Sequence, residues 1–209
     1  MIPFTVIPFE PSLGWQLDLV ELEEEASRVY HDHEKRLIVL AEGELSIIDD
    51  EDDEEELEAG QVFVLEPRVN YSFVPNGEVK FFLIDFPELH NEYLPLEDDQ
   101  DFGMKIDRDG YTVYEMITGE ETDGLWSAAV IEIEDSPKHF HKIESEVFIV
   151  LNGVLSIELN GKRKTLEVGD YIRIPKGAIH HLKCANSDRV RLLCFNFPAF
   201  DPADMHFVD

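Results

Sequence analysis

Four segments of the first half recur, in order, in the second half, and this internal duplication constrains the chain more than any other feature. "GWQLDLVELEE" at 14–24 matches "LWSAAVIEIED" at 125–135, and "RLIVLAEGELSI" at 36–47 matches "EVFIVLNGVLSI" at 146–157. "LEAGQVFVLEPR" at 57–68 matches "LEVGDYIRIPK" at 166–176, and "VKFFLIDFP" at 79–87 matches "VRLLCFNFP" at 190–198. The offsets are 111, 110, 109 and 111, so the chain is a repeated unit with short insertions. Residues 1–90 and 111–209 are the expected units. The Pro-, Gly- and acid-containing stretch 91–110 reads as their connector.

Within each unit, apolar runs of four to eight residues alternate with turn signals such as "NG" at 152–153 and 160–161, "VGD" at 168–170 and "PKG" at 175–177. That spacing predicts an all-β chain of antiparallel strands, in a sandwich or a barrel. "VFIVL" at 147–151 is apolar at every position rather than alternating, so both of its faces should be covered, by the other half or by another subunit.

The chain carries 46 acidic and 17 basic residues, a net charge of −29. Such a surface repels phosphate backbones and anionic lipid, which argues against nucleic-acid and membrane partners. The run "DDEDDEEE" at 49–56 reads as a solvated loop between two strands. No stretch approaches the roughly 18 apolar residues of a membrane span, and Met1-Ile2-Pro3-Phe4 lacks a basic start, so a cytoplasmic location is expected. Cys184 and Cys194 are too few for a disulfide framework and are read as buried or partly buried thiols.

The chemistry-bearing stretch is "HFHKIESEVFIVLNG" at 139–153. Alternate residues of a strand share a face, so His139 and His141 present two imidazoles side by side. Downstream, in "GDYIRIPKGAIHH", Gly169 and Gly177 permit tight turns and Pro175 ends a strand, which lets His180 begin the next strand pointing back inward.

His139, His141, Glu146 and Gly153, followed by Gly169, Pro175, Gly177 and His180, resemble the paired motif of the cupin superfamily; Cys184 and Asn186 replace an Asn often found near the end of that motif. The resemblance is strong over 125–198 and, through the repeat, weaker over 14–87. It implies a bicupin, two tandem double-stranded β-helix (jelly-roll) barrels. It also implies that His139, His141, Glu146 and His180 hold one divalent metal in the second barrel. Three imidazoles and a carboxylate suit Fe, Mn, Ni, Co or Zn and leave coordination positions open. His181 should point away from the ligand set and act structurally.

The first half departs from the motif. Arg36 stands at the position of Glu146, and Tyr71 or Ser72 at that of His180. His31 and His33 imitate the opening histidines only with an insertion, so the first barrel is expected to be without metal. A metal-dependent enzyme acting on a small molecule is the leading expectation, with dioxygenase chemistry first. A sugar-phosphate isomerase-like cupin and a non-catalytic small-molecule-binding or sensory cupin are the alternatives. Tyr171, Arg173 and Lys138 are candidate acid, base or aromatic neighbours of the site, and a homodimer is a possible assembly.

Overall fold

The computed structural model describes residues 4–7, 16–29, 36–85, 104–186 and 189–208. The chain divides into two compact units, Met1–His90 and Asn91–Asp209. Among the described residues every regular element is a β-strand except the 3-10 turn Pro202–Asp204. No helix among the described residues is long and apolar enough to cross a membrane.

The first unit contains β1 (Phe4–Ile7), β2 (Gln16–Leu22), β3 (Ala26–Val29), β4 (Arg36–Glu42), β5 (Glu44–Ile48), β6 (Glu54–Glu58), β7 (Val62–Leu65), β8 (Asn70–Pro75) and β9 (Val79–Asp85). They form two antiparallel sheets, ordered β1-β2-β9-β4-β7 and β3-β8-β5-β6. The second unit contains β10 (Met104–Arg108), β11 (Tyr111–Ile117), β12 (Ser127–Ile133), β13 (His139–His141), β14 (Ser145–Asn152), β15 (Leu155–Leu159), β16 (Lys162–Leu166), β17 (Tyr171–Ile174), β18 (His180–Cys184), β19 (Val190–Phe197) and β20 (Met205–Phe207). Its sheets run β10-β11-β12-β19-β14-β17 and β16-β15-β18-β13-β20.

The repeat is visible in the ladders. β4 pairs with β9 and β7 as β14 pairs with β19 and β17, with an irregularity in register at the same place, Leu40/Glu42 and Val150/Asn152. Gly43 and Gly153 follow these irregularities at φ 87° and 84°. A Cβ on Gly43 would lie 2.7 Å from the Glu78 carbonyl oxygen, so both conformation and space select glycine. Every residue of "VFIVL" at 147–151 is buried, as its unbroken apolar pattern requires.

The interiors differ. In the first unit Tyr71, Phe73 and Phe81 pack in sequence, with ring centroids 6.5 and 6.0 Å apart, among Ile38, Leu40, Leu45, Ile47 and Leu83. Large aromatic side chains fill that interior. In the second unit the corresponding core is mainly aliphatic, with Val150, Leu155, Ile157, Leu182, Val190 and Leu192 around Phe148, and it borders a cavity.

Two sequence expectations need correction. The acidic run is only partly a loop: Asp49 caps a turn by accepting from the backbone N–H groups of Glu51 and Asp53, after which Glu54–Glu58 forms β6, paired with β5. A strand at a sheet edge needs backbone hydrogen bonds on one side only, and here Glu54, Glu55 and Glu56 remain exposed, so like charges do not prevent it. The expected connector also contains structure, since Met104–Arg108 is a strand paired residue by residue with β11.

Candidate metal centre

The strand plan of the second unit brings together four residues, the first and last of them 41 apart in the chain. His139 and His141 alternate on β13, and His180 of β18 lies opposite His139 in the ladder, with ring centroids 4.2 Å apart. Glu146 comes from β14 of the other sheet and closes the group. One ligand atom from each of the four lies within 4.8 Å of the others. All four are buried, His180 completely.

The rings are oriented from behind. His139 Nδ1 lies 2.8 Å from the Pro137 carbonyl oxygen and His180 Nδ1 3.1 Å from that of Ala178. His141 Nδ1 lies 2.7 Å from Glu144 Oε1. With each Nδ1 facing an acceptor, the tautomer that turns the Nε2 lone pair toward the group is favoured. Glu146 Oε2 is 3.1 Å from His180 Nε2, and Glu146 Oε1 is 3.6 Å from His141 Nε2. Although close, these contacts lack hydrogen-bond alignment, and His141 Nε2, His180 Nε2 and Glu146 Oε2 are buried without hydrogen-bond partners; His141 Nδ1 and Glu144 Oε1 likewise meet as a close charge contact rather than an aligned hydrogen bond. Buried polar atoms rarely stay unsatisfied, and a shared cation satisfies imidazole lone pairs and a carboxylate together. The donor set therefore fits a divalent transition metal.

The electrostatics agree. Burial and the neighbouring His180 push the His139 pKa down to about 4, which keeps that ring neutral. Burial also opposes charge on His141, but Glu144 and Glu146 outweigh it and leave its pKa raised. Burial works against the Glu146 carboxylate, yet the surrounding histidines hold its pKa below the usual value.

Three further residues frame the centre. Glu144 is buried; its Oε2 accepts from Asn196 Nδ2 at 3.1 Å, and burial pushes its pKa up. Asn196 also reaches Glu146 Oε1 at 3.5 Å. Asp204 accepts from the backbone N–H groups of Lys142, Ile143 and Glu144, at 3.1, 2.8 and 3.2 Å, and so locks the loop between β13 and β14. The alternation Glu144/Glu146 was legible in "ESE"; Asp204, 60 residues away, carried no local signal.

The neighbours proposed from sequence lie elsewhere. Tyr171 is exposed on β17, as is Arg173, and Lys138 pairs with Glu158 at 2.9 Å. Strand alternation puts side chains beside His180 on the opposite face, which is where His181 sits, its Nε2 2.6 Å from Asp135 Oδ1. Cys184 is half-buried and Cys194 buried, both as free thiols. His31 and His33 lie outside the described residues. A cavity of about 80 Å³ lies beside the centre, opens to solvent and is lined largely by apolar side chains.

The Cupin domain family matches residues 130–196, the segment that contains all four clustered residues. The chain is a bicupin. An uncharacterized protein of Aquifex aeolicus is 32% identical over 90 residues, covering 43% of this bicupin and 74% of that protein. Quercetin 2,3-dioxygenase of Bacillus subtilis is 34% identical over 83 residues, 38% of this bicupin but only 24% of the dioxygenase. Among solved structures, a cupin 2 conserved barrel domain protein from Leptotrichia buccalis superposes with a TM-score of 0.63 at 15% identity, covering 94% of this bicupin and 89% of that chain.

Proposed function

We propose that this bicupin is a metal-dependent enzyme of dioxygenase type acting on a small molecule held in the cavity of its second unit. The observation that carries the reading is the buried set His139, His141, Glu146 and His180, in which His141 Nε2, His180 Nε2 and Glu146 Oε2 lack hydrogen-bond partners beside an apolar cavity lined by His139, His141 and Glu146. Such a set supplies, once loaded, Lewis-acid polarisation and a meeting point for an oxygen-bearing molecule and dioxygen. The chain's own contribution is orientation and exclusion of water. Pro137, Ala178 and Glu144 fix the three rings from behind, while Phe148, Leu182, Phe200 and Met205 line the cavity.

The local identity to quercetin 2,3-dioxygenase supports oxygen chemistry. The cavity lining speaks against a sugar phosphate, because among the described residues it contains neither Lys nor Arg to meet a phosphate. Elemental analysis of protein purified without a metal-affinity tag, followed by oxygen-electrode measurements over a panel of small phenols, tests the reading. One equivalent of Fe, Mn, Ni, Co or Zn with substrate-dependent oxygen uptake is expected. Metal-free protein equal to loaded protein in both melting temperature and activity would sink it.

A further inference from the structure

The cavity has a second polar feature, away from the metal centre. Positions 111, 113, 115 and 117 of β11 line it, so Glu115 sits on the concave face of the six-stranded sheet among Val113, Ile117 and Ile131. Its side chain is only half-buried, yet its carboxylate has no hydrogen-bond or ion-pair partner among the described residues. Sheet register fixes its place relative to the centre. Glu146 pairs with Asn196 and Asn196 with Ser127, while in the adjacent row Phe148, Cys194, Ala129 and Glu115 follow one another across four strands. Three interstrand spacings separate Glu115 from β14, about 14 Å along the sheet and less across its concave face. In the row that joins them β12 contributes Ala129, next to Ser127 in the row of Glu146 and Asn196, and these small side chains leave room that bulkier ones would fill, while Ile131 and Ile133 line the cavity farther along the strand. Isolating a carboxylate in an apolar wall is unfavourable unless a ligand donates to it.

We infer that this cavity takes a slender, mainly apolar molecule with an oxygen head group toward His139, His141, Glu146 and His180 and a hydroxyl or amino group at the far end, received by Glu115. The head-group half rests on the metal reading above; the far-end half rests on Glu115 alone. An anionic tail is disfavoured, because it would meet the like charge of Glu115.

Calorimetric titration of the metal-loaded protein with cinnamate, 4-hydroxycinnamate and 4-carboxycinnamate tests both halves. The hydroxyl compound should bind about tenfold tighter than cinnamate, the yield of one hydrogen bond to a charged acceptor, and the dicarboxylate should not bind measurably. Glu115→Leu should abolish the hydroxyl preference and Glu115→Gln should keep part of it while admitting the dicarboxylate, both with unchanged metal content. Ala129→Phe should block all three probes; its melting temperature shows whether it folds, and the Glu115 variants decide the matter if it does not. Stripping the metal should weaken the three probes in common, so a common loss tests the metal reading and the ratio between probes tests Glu115. A hydroxyl preference that survives in Glu115→Leu, or no binding of either monocarboxylate to loaded protein, would overturn the inference.

Discussion

Arg36 Nε and Asp85 Oδ1 lie 2.6 Å apart in the first unit, at the two ladder positions that carry Glu146 and Asn196 in the second. Duplication kept the pairing and reversed its charge, placing a guanidinium where the second unit has a carboxylate. Tyr71 completes the change: it stands one residue beyond the last β5–β8 pair, Ile48↔Ser72, as His180 stands one beyond the Glu158↔His181 pair, and its hydroxyl accepts from the Glu66 N–H at 3.0 Å. A fixed positive charge in a poorly solvated interior repels a divalent ion.

One metal per chain is therefore expected, and changing His31 and His33 together to alanine should leave metal content unchanged. Arg36→Ala should likewise spare the metal but destabilise the protein by about 3 kcal/mol, because the Arg36–Asp85 ion pair is lost from a largely buried place. Two equivalents by elemental analysis, or metal loss in the double histidine variant, would mean that the first unit also binds metal.

Glu144 fixes the ring of His141 from behind. Glu144→Gln should lower metal affinity by about ten- to a hundredfold, the usual effect of losing such a partner, with little change in the melting temperature of metal-free protein. Competition with a chromophoric chelator measures it. Equal affinity in Glu144→Gln and wild type would assign Glu144 to packing alone.

Acid should destabilise the metal-free protein through His139. The folded-state pKa of about 4 lies below the ordinary histidine value of 6.5, so the stability tied to a neutral ring is complete above pH 6.5 and is lost as pH falls toward 4. The full effect is on the order of 3 kcal/mol. Urea unfolding of metal-free wild type and His139→Leu between pH 7 and 4 should show a shallower decline in the variant; parallel declines would refute the assignment.

Charge on β6 protects an open edge. Replacing Glu54 and Glu56 with valine should raise strand propensity yet convert β6 into a pairing surface, giving concentration-dependent self-association by light scattering. A variant that stays at wild-type mass would show that the acids there do not prevent edge pairing.

The sequence alone determined the duplication, the all-β plan and the four clustered residues. Repeat offsets, turn glycines and the period-2 spacing of His139 and His141 are local signals that survive without tertiary context. Arg36 was readable as the mark of an altered first unit because it stands in a matched position. Tertiary structure decided what depends on cross-strand register. It selected Tyr71 rather than Ser72 as the counterpart of His180, made Glu54–Glu58 a paired edge, brought Asp204 onto the loop before Glu144, and turned Glu115 rather than Tyr171 or Arg173 into the cavity. Each of these joins residues through hydrogen-bonded neighbours distant in the chain, and a single-residue slip in such a ladder would send every side chain to the opposite face.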